Sequence, residues 1–286
     1  MRILFTGASS VTGSHVLKRI LESVEGVEVW CARHQAEIAI TDSRVRVIDL
    51  DLAEDFDPDL LPQDIDLVVH FAGVTHAWDP GRYATVNFRG TMRLATAARA
   101  RGCRRFVYIS TRCATPGAGA YGESKLAGED ELKKLSWDRL LIIRPSEVYG
   151  GGGKEGVDKL IALAQRRHLT PLLFGNSNIS FAPLWSDDFA WIVADEIMKR
   201  ASGVTVVELC GPEDLNGAAL GTRVAKRYKA LPVPIWWPLF AMTVKIGTTL
   251  GFNLAVPDQL QRLTCDKTSS AKQADRTGRR RFLIEQ

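Results

Sequence analysis

Arg2-Ile3-Leu4-Phe5-Thr6-Gly7-Ala8-Ser9-Ser10-Val11-Thr12-Gly13 is a short apolar run that ends in small and hydroxylated residues. Ser14-His15-Val16-Leu17-Lys18-Arg19-Ile20-Leu21 follows it with helical spacing. The order is strand, glycine turn, helix. Gly7 permits the tight turn, Gly13 lets the helix pack against the sheet, and the N–H groups at the helix start can receive a pyrophosphate. The middle glycine that would bring the backbone against that pyrophosphate is missing. Ser10 and Val11 fill the two places where it could stand, and Ser10 could instead donate its hydroxyl to a phosphate oxygen. Ser9 and Thr12 complete the candidate binding loop.

Beyond this turn, apolar strand candidates recur at Ile3 to Phe5, Val27 to Cys31, Val45 to Ile48, Leu67 to Phe71, Phe106 to Ile109 and Leu140 to Ile143. Helical stretches lie between them, at Ser14 to Ser23, Thr91 to Arg101 and Gly122 to Leu135. Such alternation predicts an α/β fold, a doubly wound parallel sheet with helices on both faces and a smaller C-terminal lobe. Gly150-Gly151-Gly152-Gly153 marks a loop and hinge, which sets a dinucleotide-binding domain at 1–150 and a mainly substrate-binding lobe at 151–286. The segment from Pro183 to Lys199 reads as a strand end and helix, a return to the first domain at 183–200.

With 286 residues, 45% hydrophobic and 24% charged, the chain can bury a full core. A net charge of +4 is too slight to argue for nucleic acid, and Arg279-Arg280-Arg281 with Arg276 reads as a solvated basic tail, or else a phosphate or membrane contact. Five cysteines without CxxC spacing suggest neither disulfides nor a zinc site, and the start shows no signal peptide, so the expected compartment is the cytoplasm. Between Leu231 and Pro257 the sole charged residue is Lys245. Pro232, Pro234, Pro238, Gly247 and Gly251 interrupt this apolar stretch, which favours a lobe helix over the site or a partner surface to a membrane span, with peripheral membrane contact as the alternative.

Tyr121 and Lys125 stand four apart in Ala120-Tyr121-Gly122-Glu123-Ser124-Lys125, on one face of a helix. A free tyrosine, with a pKa of about 10, is a poor base at neutral pH. A nearby ammonium and a positive nicotinamide ring both favour its phenolate, so the pair suits proton removal beside a dinucleotide.

Further stretches carry a resemblance. Asp51-Leu52 follows the third strand, His70-Phe71-Ala72-Gly73 the fourth, and Val86-Asn87-Phe88-Arg89-Gly90-Thr91 resembles an NVxGT helix start. Phe106-Val107-Tyr108-Ile109-Ser110-Thr111, Arg144-Pro145 with Val148-Tyr149-Gly150, and Trp185-Ser186-Asp187-Asp188-Phe189-Ala190 continue in order. Together with Thr6-Gly7, Gly13 and the Tyr121/Lys125 pair, they resemble the extended short-chain dehydrogenases/reductases, within them the nucleotide-sugar epimerases, dehydratases and ketoreductases. The match covers most of the chain. It implies a Rossmann domain whose dinucleotide meets Gly7, Ser9, Ser10, Val11, Thr12, Gly13, Asp51, Leu52, Phe71, Ala72, Gly73, Asn87, Ile109, Tyr121, Lys125, Pro145 and Val148. It also implies a catalytic set of Tyr121, Lys125 and Thr111, with Ser110 as the rival hydroxyl; strand neighbours point to opposite faces, so only one can serve.

The departures from the family pattern are informative. Where the family ends its second strand in an Asp that holds the ribose of NAD, this chain has Val29-Trp30-Cys31-Ala32-Arg33-His34. Arg33 suits a 2′-phosphate and tilts the expectation slightly from NAD toward NADP(H). Arg112-Cys113 follows Thr111, where dehydratases carry an acidic pair, so dehydration is disfavoured. Cys113 and His70 read as structural. The resemblance thus implies hydride chemistry on a nucleotide sugar, by an epimerase or by a 4-ketoreductase, while the lost glycine keeps a non-catalytic dinucleotide-binding or sensing protein as the other class. The sugar pocket is expected from Thr75 to Trp78, Cys113 to Gly119, Glu147 and the second lobe, with Arg223, Arg227 or Arg262 on the diphosphate. No metal is expected, and the family implies a homodimer through the helices Thr91 to Arg101 and Gly122 to Leu135.

Overall fold

The computed structural model describes residues 1–153, 155–176, 179–249, 257–265 and 276–283. Six apolar segments form β1 (Arg2–Thr6), β2 (Glu28–Arg33), β3 (Val45–Asp49), β4 (Leu67–His70), β5 (Arg105–Ile109) and β6 (Arg139–Pro145). Their order in the sheet is β6-β5-β4-β1-β2-β3, with the strand Gly203–Cys210 beside β6 as a seventh. The pairs among the six are parallel, as the registers Ile3 with Val29, Ile3 with Leu67, and Val68 with Phe106 show. This is the doubly wound α/β fold. The chain moves outward from β1 to β3 and then jumps back to β4 on the other side of β1, so a crevice opens at the carboxyl ends of β1 and β4.

Local chemistry explains the first helix, Val11–Ser23. Ser10 caps it, and Gly13, Val16, Leu17, Ile20 and Leu21 bury one face at helical spacing. The expected helix start at Thr91 differs. Helical winding begins at Gly81, runs as π-helix over Ala84–Gly90 and becomes α-helical at Thr91–Ala100. Close packing fixes this wider stretch: a Cβ on Gly90 would stand 2.6 Å from the Leu52 carbonyl oxygen. On one face of the sheet, Leu4, Val68, Phe106, Tyr108 and Leu140 pack with Leu94 and Ala98 into a continuous core.

The chain divides into two compact units, Met1–Arg144 with Phe189–Val207, and Pro145–Asp188 with Glu208–Gln286. The boundaries expected from sequence stand at 150 and at 183–200. Buried Arg139 fastens the returning segment to the first unit, donating to the carbonyls of Ile197 at 2.7 Å and of Glu196 at the end of the helix Ser186–Met198. A cation is well placed at a helix C-terminus, where unpaired carbonyls gather.

In the second unit the strands Leu169–Phe174 and Leu231–Trp236 pair in parallel. The helix Gly217–Tyr228 lies on the first of them through its glycines: a Cβ on Gly221 would meet the Pro171 oxygen at 2.5 Å. The glycine run after Tyr149 is a loop, tied down where Gly150 and Gly153 donate their N–H groups to the Asp158 carboxylate at 2.8 Å each. The apolar stretch from Leu231 resolves into the strand to Trp236 and the helix Trp237–Thr249; its remainder, 250–256, lies outside the described residues. Among the described residues no helix is long and apolar enough to cross a membrane.

Candidate active site

Gly7 and Gly13 are bound to glycine by contact. Gly7 has φ +77°, and a Cβ there would lie 2.6 Å from the Ala72 nitrogen; one on Gly13 would lie 2.2 Å from the Gly7 oxygen. Strand end, helix start and the loop after β4 are therefore pressed together, with Ser9 and Ser10 exposed at the helix start. Ser10, at the place of the missing glycine, turns its side chain into the helix. Its Oγ accepts from the Gly13 N–H at 3.1 Å and donates to the Gly7 carbonyl at 2.8 Å. The hydroxyl hydrogen that the sequence offered to a phosphate oxygen thus goes to the Gly7 carbonyl in this structure. Ser9 is exposed beside it, and Val11 and Thr12 are half-buried in the first turn.

The carboxyl ends of β1 and β4 are joined by a buried relay. The Ala72 N–H donates to Thr6 Oγ1 at 3.1 Å, and Thr6 Oγ1 lies 2.6 Å from His70 Nδ1. His70 Nε2 lies 2.9 Å from Thr91 Oγ1, whose hydrogen goes to the Asn87 carbonyl at 2.7 Å. Thr91 must therefore accept, which places the imidazole proton on Nε2 and leaves Nδ1 to accept from Thr6. Burial, with the Lys125 charge adding to it, lowers the His70 pKa to about 3 and keeps the ring neutral. His70 is a structural histidine. Asn87 then clips the loop after β4, accepting from the Val74 N–H at 2.7 Å and donating to the Val74 oxygen at 2.9 Å and to Ser124 Oγ at 3.2 Å.

Tyr121 and Lys125 share the helix Gly119–Lys134. Two glycines seat that helix on β5 and the turn after it: a Cβ on Gly122 would meet the Cys113 oxygen at 2.2 Å, and one on Gly128 the Tyr108 hydroxyl at 2.8 Å. Lys125 is buried, with Nζ 4.3 Å from the centre of the Tyr108 ring, and a Cβ on Gly73 would lie 3.7 Å from that Nζ. Desolvation pulls its pKa from the ordinary 10.5 to about 7, against the raising influence of Glu129. The Tyr121 ring meets Tyr83 edge-on at 5.9 Å, and the Tyr83 hydroxyl accepts from the Ala77 N–H, which ties the segment 75–78 to the same group.

The two rival hydroxyls have different surroundings. Ser110 Oγ donates to Glu129 Oε1 at 2.5 Å, while Thr111 Oγ1 accepts from the Cys113 N–H at 3.2 Å. Glu129, fully buried, also takes a two-pronged bond from Arg144, at 2.9 Å from Nε and 2.6 Å from the terminal nitrogen. Sequence reading missed Glu129 because it sits in the acidic run Glu129-Asp130-Glu131, the usual mark of a solvated helix face. Its one signal was its spacing of four from Lys125.

Arg33, at the tip of β2, forks onto Asp49 at 2.7 and 3.2 Å and onto Glu37 at 3.1 and 3.0 Å. Asp51 lies 3.1 Å from His34 Nε2. Leu52 and Ile109 bury their side chains, and Phe71 stacks on Phe5 at 5.2 Å. Pro145, Glu147 and Val148 belong to the second unit, where Val148 pairs with Leu184. That unit contains a cavity of about 930 Å³ lined by Lys159, Arg166, Arg227 and Arg280 together with Asp158, Tyr149 and Trp185. The Arg280 guanidinium lies 4.0 Å above the Trp185 ring. Of the three arginines expected at a diphosphate, Arg227 lines this cavity, Arg223 is held by Glu213 at 2.8 and 3.2 Å, and Arg262 lies 3.7 Å from Asp258.

The family model for the NAD dependent epimerase/dehydratase family matches residues 3–194. The chain belongs to this family. Its members are enzymes of the extended short-chain dehydrogenase/reductase type. This epimerase/dehydratase family member is 29% identical over 178 residues to a ceramide reductase of Caulobacter vibrioides, an alignment that takes in 62% of the chain and spans 56% of the reductase. It is 27% identical over 266 residues to a UDP-glucose 4-epimerase of Vibrio cholerae, covering 82% and 79% of the two chains. Among solved structures, the dTDP-glucose 4,6-dehydratase DesIV of Streptomyces venezuelae, with NAD bound, superposes with a TM-score of 0.73 at 20% identity over 82% of this chain and 84% of the other, which shows the common fold.

Proposed function

We propose that this family member is a nucleotide-sugar epimerase that works with a retained dinucleotide. The observation that carries the substrate class is the second-unit cavity, where Lys159, Arg166, Arg227 and Arg280 outnumber the one carboxylate, Asp158, and suit a diphosphate. For the dinucleotide, the glycine cradle of Gly7 and Gly13 and the open helix start fit a pyrophosphate. A bound nicotinamide would supply reversible hydride acceptance at the sugar carbon.

The residues of the chain handle the proton and the orientation. Tyr121 removes the sugar hydroxyl proton at its phenolic oxygen and later returns it. Lys125, when charged, lowers the cost of that phenolate, and an anion close by in turn favours the charged lysine. Thr111, whose Oγ1 accepts from Cys113, has its hydrogen to offer to the sugar oxygen, whereas Ser110 has given its own to Glu129.

Arg33 weighs differently here than in the sequence. Its pairs with Asp49 and Glu37 are exposed and weak, yet both carboxylates would face a 2′-phosphate. This supports NAD over NADP(H). A second reading, reduction of a keto-sugar or of a ceramide-like lipid, is favoured by the likeness to the ceramide reductase.

The test is to look for NAD by native mass spectrometry and then, without added cofactor, for inversion at the sugar carbon by NMR across a panel of UDP-, dTDP- and GDP-sugars. Inversion should be abolished in Tyr121→Phe with NAD binding kept, and Arg227→Ala should raise KM far more than it lowers kcat. Oxidation of NADPH by a ketone without inversion would replace epimerase by reductase. Binding of NAD with no turnover on any substrate would support the sensing class.

A further inference from the structure

Lys125 is buried in the first unit, yet its charged form is the one that favours a Tyr121 phenolate. Some group must therefore hold an ammonium in a dry site. Desolvation works against the charge, and Glu129, one turn further along the helix, works for it. That carboxylate is already shared: one oxygen accepts from Ser110, and the Arg144 fork takes both. From the sheet, an aromatic face meets the lysine. Lys125 Nζ lies over the Tyr108 ring, 4.3 Å from its centre, inside the distance of about 6 Å at which a ring quadrupole attracts a cation.

The surroundings keep this ring a neutral face. Tyr108 is fully buried on β5, and burial raises the pKa of its phenol. Its register partner on β4, His70, stacks on it at 5.7 Å and is held neutral by burial and by the Lys125 charge. Among the described residues, the titratable groups about Lys125 are thus His70 from β4, Tyr108 from β5, and Tyr121 and Glu129 from its own helix. Arg144 of β6 and Lys133 face Glu129. The helix is seated to suit the ring: a Cβ on Gly128 would stand 2.8 Å from the Tyr108 hydroxyl, so the lack of a side chain there makes room for the phenol. The hydroxyl itself donates a long bond, 3.4 Å, to the Asn87 carbonyl. An aliphatic residue would fill the same core but offer the cation no negative face.

We propose that Tyr108 is a positioning residue of the active site, whose ring face holds the Lys125 ammonium in place and in its charged form through a cation–π contact. The proposal rests on the reading of Tyr121 as a base assisted by Lys125. Tyr108 acts through the lysine. An ammonium held by the ring keeps its proton to higher pH, and its charge lowers the pH at which Tyr121 loses its own.

The experiment titrates Lys125 directly in the full chain, by the carbon NMR shift of its ε-carbon, assigned with Lys125→Met. Tyr108→Phe keeps the ring face and drops the hydroxyl, pentafluorophenylalanine in place of Tyr108 keeps the ring and withdraws electrons from its face, and Tyr108→Leu removes the ring. The Lys125 midpoint is expected at about 7 in wild type and in Tyr108→Phe, and about one unit lower or more in the other two. The acid limb of the kcat pH profile should move to higher pH in those same two and stay in place in Tyr108→Phe. Should Tyr108→Leu fail to fold, the two phenylalanine forms carry the decision, since both present a ring. Equal midpoints in those two forms overturn the proposal, as does a shift in Tyr108→Phe as large as that in Tyr108→Leu, which would assign the effect to the hydroxyl. A lowered kcat with midpoint and limb unmoved would return Tyr108 to packing. The titration needs no substrate, so absence of turnover in the wild type would overturn the proposed function while the midpoints still judge the contact.

Discussion

Lys125 is a buried amine whose ordinary pKa of 10.5 is pulled to about 7 by desolvation. Between those values the folded chain has lost a proton that the unfolded chain still holds, so stability rises with pH across that window, and the penalty for burying the charge is fully present below about pH 7. Replacing the amine by a thioether in Lys125→Met should remove this dependence. Melting curves from pH 7 to pH 10 should therefore show the wild type gaining on the variant; parallel curves would contradict the shift. The two neighbouring hydroxyls separate in the same residue-level way. Ser110→Ala should cost about 1–3 kcal/mol, because a buried Glu129 oxygen loses a donor, with kcat largely kept. Thr111→Val takes the acceptor from the buried Cys113 N–H and should also cost about 1–3 kcal/mol, but unlike Ser110→Ala it should lower kcat. Exchange of these two outcomes would make Ser110 the substrate hydroxyl.

At the scale of elements, the joint between β1, the first helix and the loop after β4 is set by absent side chains. Gly7 and Gly26 both have positive φ, at 77° and 62°, but a Cβ on Gly26 would meet nothing within 4 Å while one on Gly7 would meet backbone at 2.6 Å. Gly26→Ala should therefore cost about 1–2 kcal/mol of conformational strain alone. Gly7→Ala should cost clearly more, and should weaken NAD binding as well, because the helix start must move. Urea unfolding of both variants, with NAD titrated into each, checks this; equal losses would mean that the close approach to Ala72 is relieved cheaply. Ser10 belongs to the same joint. Its side chain caps the helix inward, which is how the turn dispenses with a glycine that sequence reasoning would require.

At the scale of the whole molecule, burial decides which charges matter. Glu129, beneath Ser110 and forked by Arg144, links the helix Gly119–Lys134 to β5 and β6, and Glu129→Ala should cost about 3–5 kcal/mol by taking the two-pronged carboxylate from the half-buried Arg144 and the acceptor from Ser110. Thermal unfolding that shows less than about 1 kcal/mol would reduce this group to packing. The apolar periods, the glycines at 7 and 13 and the spacing of Tyr121 from Lys125 were legible in the sequence, because a strand, a turn and a helix face are fixed by residues that lie next to one another. The fold class followed from them. Only the tertiary structure decided that Arg33 is already paired with Asp49 and Glu37, that Ser110 is committed to Glu129, that His70 is locked neutral between Thr6 and Thr91, and that Leu239, Met242 and Ile246 face outward. Most of those partners come from segments 16 to 64 residues apart, and the outward stripe depends on which helix face the second unit covers. Charge and hydrogen bonding of a side chain depend on what folding brings beside it, and that is settled by packing rather than by local spacing.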